Sequence, residues 1–170
     1  MKYWQKFKEL TDLLKNIDRK EAIFLICLVF FMAIFAVMVG YPVINLDTSI
    51  EGRLFWLYPN KKSFSVGDVV FFKFKGSKYF KRGARFIKII ACLPGDLLTL
   101  KGRCFYCNSS FIGCAKQTDR QGNPAPLFKY NGRIPPDRYF VIGTNRDSYD
   151  SRYWGFVERN DIKGVAYRIF

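Results

Sequence analysis

The chain has 170 residues, with 28 lysines and arginines against 14 aspartates and glutamates and no histidine, for a formal net charge of +14. That length suits one domain plus appendages. The lack of histidine excludes a Ser-His-Asp triad and any histidine metal site, which leaves a lysine as the base that could activate a serine.

Residues 1–21 read as an amphipathic tail. Trp4, Phe7, Leu10, Leu14 and Ile17 fall at three- and four-residue spacing and form one apolar stripe, with Lys2, Lys6, Lys8, Lys15, Arg19 and Lys20 around it. Such a helix suits the inner membrane surface, or packing on a partner or on its own domain. Ala22–Gly40 follows, 19 residues without a charge. As a helix it would be about 28 Å long, near the thickness of a bilayer's hydrocarbon core. We take residues 22–41 as a transmembrane helix. The run is too long for the apolar region of a cleaved signal peptide, and Met38-Val39-Gly40 is a poor cleavage site. No face of it is polar, unlike a buried soluble helix. Arg19 and Lys20 at its start place the N-terminus in the cytoplasm, so residues 42–170 lie outside.

That outer part carries 22 basic and 10 acidic residues, a net +12. Attraction to membrane lipid headgroups accounts for it beside a tether. Lys73, Lys75, Lys78, Lys81, Arg82 and Arg85 are not interleaved with stacking aromatics in an RNA-binding pattern, so no nucleic-acid partner is expected.

The outer domain reads as mostly β. Val69–Phe74 is rich in strand formers and follows a Gly67-Asp68 turn. Arg85–Leu93 is a second strand, ended by the turn Pro94-Gly95-Asp96, and Leu97–Leu100 returns as its hairpin partner. Arg138–Gly143 and Gly164–Phe170 are two more strands. No segment shows sustained helical periodicity. Residues 102–137 are rich in Gly, Asn, Ser and Pro and read as an inserted hairpin or long loop. They hold Cys104, Cys107 and Cys114. With no histidine and no fourth ligand nearby, a disulfide involving Cys114 is expected in place of zinc. Cys92 reads as core filler, Cys27 lies in the span, and one cysteine is left over.

Two residues carry candidate chemistry. Ser49 lies nine residues past Gly40, so its hydroxyl sits near the membrane surface, where a membrane-held precursor would present its cleavage point. Most serines beside Asp and Thr are ordinary turn residues, so position alone does not decide. Lys88, in Phe86-Ile87-Lys88-Ile89-Ile90, has apolar neighbours on both sides. It either snorkels outward or is buried. Burial would disfavour its ammonium form and leave an amine able to take a proton from a serine.

These residues occur with three motifs: Gly67-Asp68-Val69-Val70, the stretch FIKIIACLPGD around Lys88, and the segment Gly143–Gly155 containing SYDSRYWG. Together they resemble the signal peptidase I family, membrane-bound serine peptidases with a Ser–Lys dyad. The resemblance covers roughly residues 22–100 and 138–170. It implies a signal-peptidase-like β domain tethered by one N-terminal transmembrane helix, with Ser49 as nucleophile and Lys88 as base. It makes Ser148 the residue that orients the lysine, and Asp150 and Arg152 an ion pair holding that segment, with Asp147 also supporting the site. The chain departs from the family after the nucleophile, where Ile50, Glu51 and Gly52 replace the usual Met and nearby Pro. It departs before it too, where Asp47 stands in place of a small residue that helps form the oxyanion hole. An ionised Asp47 can only accept hydrogen bonds, so the hole falls to the backbone N–H of Ser49, with Thr48. The last motif is one residue shorter than usual and looks closer to the peptidases that mature conjugative pilins. The short chain and Asn45-x-x-Thr48-Ser49 suit that subgroup as well.

The expectation is a bacterial inner-membrane endopeptidase with residues 42–170 in the periplasm, cleaving a pilin or preprotein precursor without a cofactor or metal. The conjugative transfer machinery is a further expected partner. The alternatives are a housekeeping signal peptidase, an inactive relative serving in a membrane assembly, and a membrane-tethered nucleic-acid binder.

Overall fold

The computed structural model describes residues 4–5, 18–46, 48–59 and 61–170. Phe7, Leu10, Leu14 and Ile17 of the amphipathic stripe, and Asp47, lie outside the described residues. The chain divides into two units, residues 1–39 and 40–170.

In the first unit, helix α1 (Arg19–Val39) starts at a reciprocal cap. The Glu21 N–H donates to Asp18 Oδ1 at 3.1 Å, and the Asp18 N–H donates to Glu21 Oε2 at 3.2 Å. Two backbone donors at the helix start are thereby satisfied. Among the described residues it is the one helix long and apolar enough to cross a membrane.

The second unit is built of two sheets. The larger runs in the order β1 (Tyr41–Ile44), β2 (Leu54–Tyr58), β11 (Ile162–Arg168), β3 (Val69–Lys73), β4 (Arg85–Cys92), β9 (Arg138–Ile142) and β10 (Val157–Glu158). The smaller runs β7 (Ser110–Cys114), β6 (Cys104–Cys107), β5 (Leu97–Lys101) and β8 (Gly132–Arg133). Every pairing is antiparallel. Alternation along the strands sends one set of side chains into each core. Val70, Phe72, Phe86, Ile90 and Val141 pack together, while Phe55, Leu57, Ile87, Ala166 and Ile50 form a separate cluster. Leu98, Phe105, Ile134 and Phe140 join the two sheets.

Several expectations need correction. Leu97–Lys101 is not a hairpin partner of β4; it pairs with β6 and β8 in the smaller sheet. The turn explains the departure. Asp96 Oδ2 accepts the Leu93 N–H at 2.8 Å, while Gly95 and Asp96 exchange backbone bonds with Ile134. The chain is thus tied to the returning segment and leaves β4. Of the two readings of residues 102–137, the structure gives the hairpin, β6–β7, and with β8 the segment contributes three of the four strands of this sheet. The turn between β6 and β7 puts Asn108 (φ 46°) and Ser109 (φ 70°) in the left-handed region, as a tight hairpin of this twist requires. A short helix α2 (Ser151–Trp154) interrupts the β pattern, capped by Asp150.

Cys92 is not filler: it forms a disulfide with Cys107, and Cys104 pairs with Cys114 across β6 and β7. Cys27 is the free cysteine. The first bond ties β4, the strand that carries Lys88, to the smaller sheet.

Candidate active site

Lys88 occupies the middle of β4, with β3 on one side and β9 on the other. It stands opposite Val70 and is 1% exposed. Alternation puts it on the same face as Phe86 and Ile90, and its Nζ lies 5.4 Å from the centre of the Phe86 ring. Of the two positions open to it from sequence, snorkelling or burial, the structure gives burial. Ile89 pairs with Ile142, so antiparallel register sets Lys88 opposite Gly143.

Gly143 is where the other candidate residues meet. A Cβ built on it would lie 2.2 Å from Ser148 Oγ and 2.5 Å from the Ser49 carbonyl oxygen. Only a residue without a side chain allows both to approach. Ser49 is 6% exposed and Ser148 2%. Ser148 Oγ has no hydrogen-bond partner among the described residues.

Two sets of hydrogen bonds fix the segment bearing Ser49. From its own side, Asn45 Nδ2 donates to the carbonyls of Ile50 (3.3 Å) and Gly52 (3.1 Å). From the far side, the Asn145 N–H donates to Ser49 O at 3.2 Å, Asn145 Nδ2 to Thr48 O at 3.2 Å, and Thr144 Oγ1 to Ser49 O at 3.4 Å. The carbonyls of Thr48 and Ser49 are thus held by residues almost a hundred positions away. Ile50, the next residue, is buried in the cluster around Phe55 and Ile87.

Asp150 and Arg152 hold the loop that does this clamping. Asp150 is fully buried, and its carboxylate accepts from the Gly143 N–H (2.9 Å), the Arg152 N–H (3.2 Å), Arg152 Nε (2.8 Å) and Arg152 Nη2 (2.7 Å). Arg152 also donates to the Cys114 carbonyl at 3.0 Å and the Ser148 carbonyl at 3.4 Å. Burial opposes the charge of Arg152, but the Asp150 hydrogen bonds and charge outweigh it and hold its pKa above the ordinary value. The pair therefore links Gly143, Ser148 and the smaller sheet. Asp147 lies at the exposed rim and pairs with Lys116, which holds its carboxyl below the usual range.

Ser49, Lys88, Ser148 and the Asp150–Arg152 pair thus converge around Gly143, while Asp147 and Thr48 stand at the edge. Gly143, Thr144 and Asn145 belong to the Gly143–Gly155 motif, but the sequence alone assigned them no role. The glycine that opens the Gly143–Gly155 stretch, ahead of two short polar residues, was the available signal for a close backbone approach.

The profile of the family described as "Signal peptidase, peptidase S26" matches residues 16–170. The chain belongs to this family. Among its relatives are a probable signal peptidase I-2 from Synechocystis sp., 40% identical over 84 residues (48% of this chain and 36% of that protein), and a signal peptidase I from Aquifex aeolicus, 32% identical over 124 residues (72% and 44%). A signal peptidase I from Bacillus caldolyticus is 32% identical over 125 residues (64% and 65%). The chain therefore spans from about a third to two thirds of the length of these curated relatives. A crystal structure of a signal peptidase I from Enterococcus faecalis has 24% identity and a TM-score of 0.42, covering 61% of this chain and 97% of that one.

Proposed function

We propose that this chain is a membrane-bound serine endopeptidase that removes the leader peptide from a secreted precursor through a Ser49–Lys88 dyad. The observation that carries the reading is the convergence at Gly143: a lysine 1% exposed stands in register with a glycine that admits both Ser49 and Ser148. A buried amine is poor as an ammonium and good as a base, which a serine needs when no histidine exists.

In the proposed reaction, Ser49 Oγ attacks the scissile carbonyl carbon and its proton passes to Lys88 Nζ. The C–N bond breaks, the proton goes to the leaving amine, and the acyl group stays on Ser49. Lys88 then takes a proton from water, the resulting hydroxide attacks the ester, and the proton returns to Ser49. The hydrogen bonds from Thr144 and Asn145 to the Ser49 and Thr48 carbonyls hold the main chain at the nucleophile, which supports the Ser49 N–H, with Thr48, as the oxyanion donor. We assign Ser148 the role of orienting the lysine during the reaction; in this structure its hydroxyl makes no hydrogen bond to Lys88. Its hydroxyl has no partner among the described residues, and an unmet buried hydroxyl costs about 1–3 kcal/mol, a cost that suits a group reserved for the site's own chemistry. No cofactor enters the scheme.

The setting we propose is the bacterial inner membrane, spanned by residues 22–41, with residues 1–21 cytoplasmic and 42–170 periplasmic. For substrate we favour a conjugative pilin precursor, on the short form of the motif SYDSRYWG, with the transfer machinery as partner. A second reading, a general signal peptidase acting on many preproteins, is supported by the relatives, which are signal peptidases I. Incubating membranes containing the chain with a pilin precursor and with a general preprotein separates the two. Cleavage of the pilin alone supports the first reading and cleavage of both the second. Cleavage of neither leaves the chain as an inactive assembly component.

A further inference from the structure

The loop that clamps Ser49 also carries charge. Arg146 follows Asn145, the residue bonded to the Thr48 and Ser49 carbonyls, and its side chain is exposed. Asp147 comes next and is paired with Lys116, from the segment after β7. Arg120, exposed on that same segment, and Arg146 both act electrostatically on Asp147. Three cations thus surround one carboxylate, leaving two positive charges in excess. The other acid of this segment, Asp119, keeps its charge, and Lys78 offsets it electrostatically. Its carboxylate is engaged by the Tyr79 hydroxyl at 2.8 Å and by the N–H groups of Gln121 and Asn123, each at 2.9 Å. Lys78, the countercharge of Asp119, lies 4.6 Å from the centre of the Tyr79 ring, so the excess of two positive charges stands.

Arginine stays charged at every working pH, so this rim is permanently positive. Two chain segments distant in sequence bring Arg120 and Arg146 to it. An extended peptide advances about 3.3 Å per residue, and an arginine side chain spans about two such steps. A side chain a few residues from a bond held at Ser49 therefore falls within reach of Arg146.

We propose that Arg120 and Arg146 select substrates bearing an acidic side chain within about four residues of the cleaved bond. This rests on the peptidase reading above. Rim ion pairs are individually weak, so one well-placed Glu is expected to raise kcat/KM by about two- to tenfold, mainly through KM, and added salt should erase the gain.

The test uses the full chain in neutral detergent with three matched peptides containing an Ala-x-Ala site, the cleavage pattern that the family resemblance implies. One is neutral, one carries a single Glu and one a single Lys, scanned over four positions on each side of the bond. The expected result is a preference for Glu over Lys at one or two positions, reversed in an Arg120→Glu/Arg146→Glu variant. Equal rates for all three peptides in the wild type overturn the inference and leave the peptidase reading standing. So does a Glu preference that survives the double charge reversal. If the reversal changes only binding to anionic vesicles and not peptide choice, the rim serves lipid headgroups and the inference fails. A wild type that cleaves a pilin precursor but none of the peptides overturns the inference alone, and one that cleaves neither removes both readings.

Discussion

Replacing Asp150 with alanine should unfold the catalytic unit more readily than almost any other single change. The carboxylate is fully buried and accepts four hydrogen bonds, three from Arg152 and one from the Gly143 N–H. Without it, a guanidinium whose side chain is 7% exposed keeps only the carbonyls of Cys114 and Ser148. Breaking a buried pair from one side costs about 3–5 kcal/mol, because the remaining charge is uncompensated. For a domain of this size that corresponds to a fall in Tm of roughly 10–20 °C. Thermal unfolding of Asp150→Ala against wild type measures it. An Asp150→Ala/Arg152→Met double variant should recover part of the loss, since no buried charge is stranded. A single-variant loss below about 1 kcal/mol, or a double variant no more stable than the single, would refute the view that Asp150 neutralises Arg152.

Gly143→Ala should cost activity more than stability: its Cβ would lie 2.2 Å from Ser148 Oγ and 2.5 Å from Ser49 O, and a misplacement of about 1 Å at a nucleophile can cost roughly 100-fold in kcat. Wild-type-like kcat would show that the close approach is not needed. Reducing the Cys92–Cys107 bond, which closes a 15-residue separation, should lower stability by about 3 kcal/mol, read from denaturant midpoints with and without reductant. The carboxyls of Asp119, Asp147 and Glu158 are held low chiefly by hydrogen bonds from Tyr79, Lys116 and Lys75 respectively. Their contribution is present above the ordinary carboxylate pKa and is lost as pH falls below about 4. Burial raises the hydroxyls of Tyr139 and Tyr149, so their contribution is full below about pH 10 and is lost as pH rises beyond it. A stability curve that does not fall off in both directions contradicts these assignments.

The central strands were legible because Val69–Lys73, Arg85–Cys92 and Arg138–Ile142 are dense in β-branched and aromatic residues. Lys88 could be singled out because a charge inside such a run has to be explained. Edge elements were not legible. Tyr41–Ile44 merges with the apolar run before it, and the pairs Gly132–Arg133 and Val157–Glu158 are two residues long, too short for a period to show. The partner of Leu97–Lys101 was misjudged because a turn signal does not say which strand the chain meets next. Asp96 and Ile134 decide that through bonds between segments distant in sequence. Cys92 and Cys107 pair for a similar reason: their proximity comes from the smaller sheet folding back onto β4. Convergence at Gly143 depends on strand register, so the sequence offered Ser49 and Lys88 as separate candidates, named Ser148 only by resemblance, and gave no role to Gly143, Thr144 or Asn145.

The most direct test is cleavage of a pilin precursor in membranes carrying wild type, Ser49→Ala or Lys88→Ala, followed across pH. The account predicts that the wild type cleaves, that its rate rises with pH as Lys88 loses its proton, and that neither variant cleaves. Variants that cleave as well as the wild type, or a wild type that does not cleave at all, would contradict the dyad.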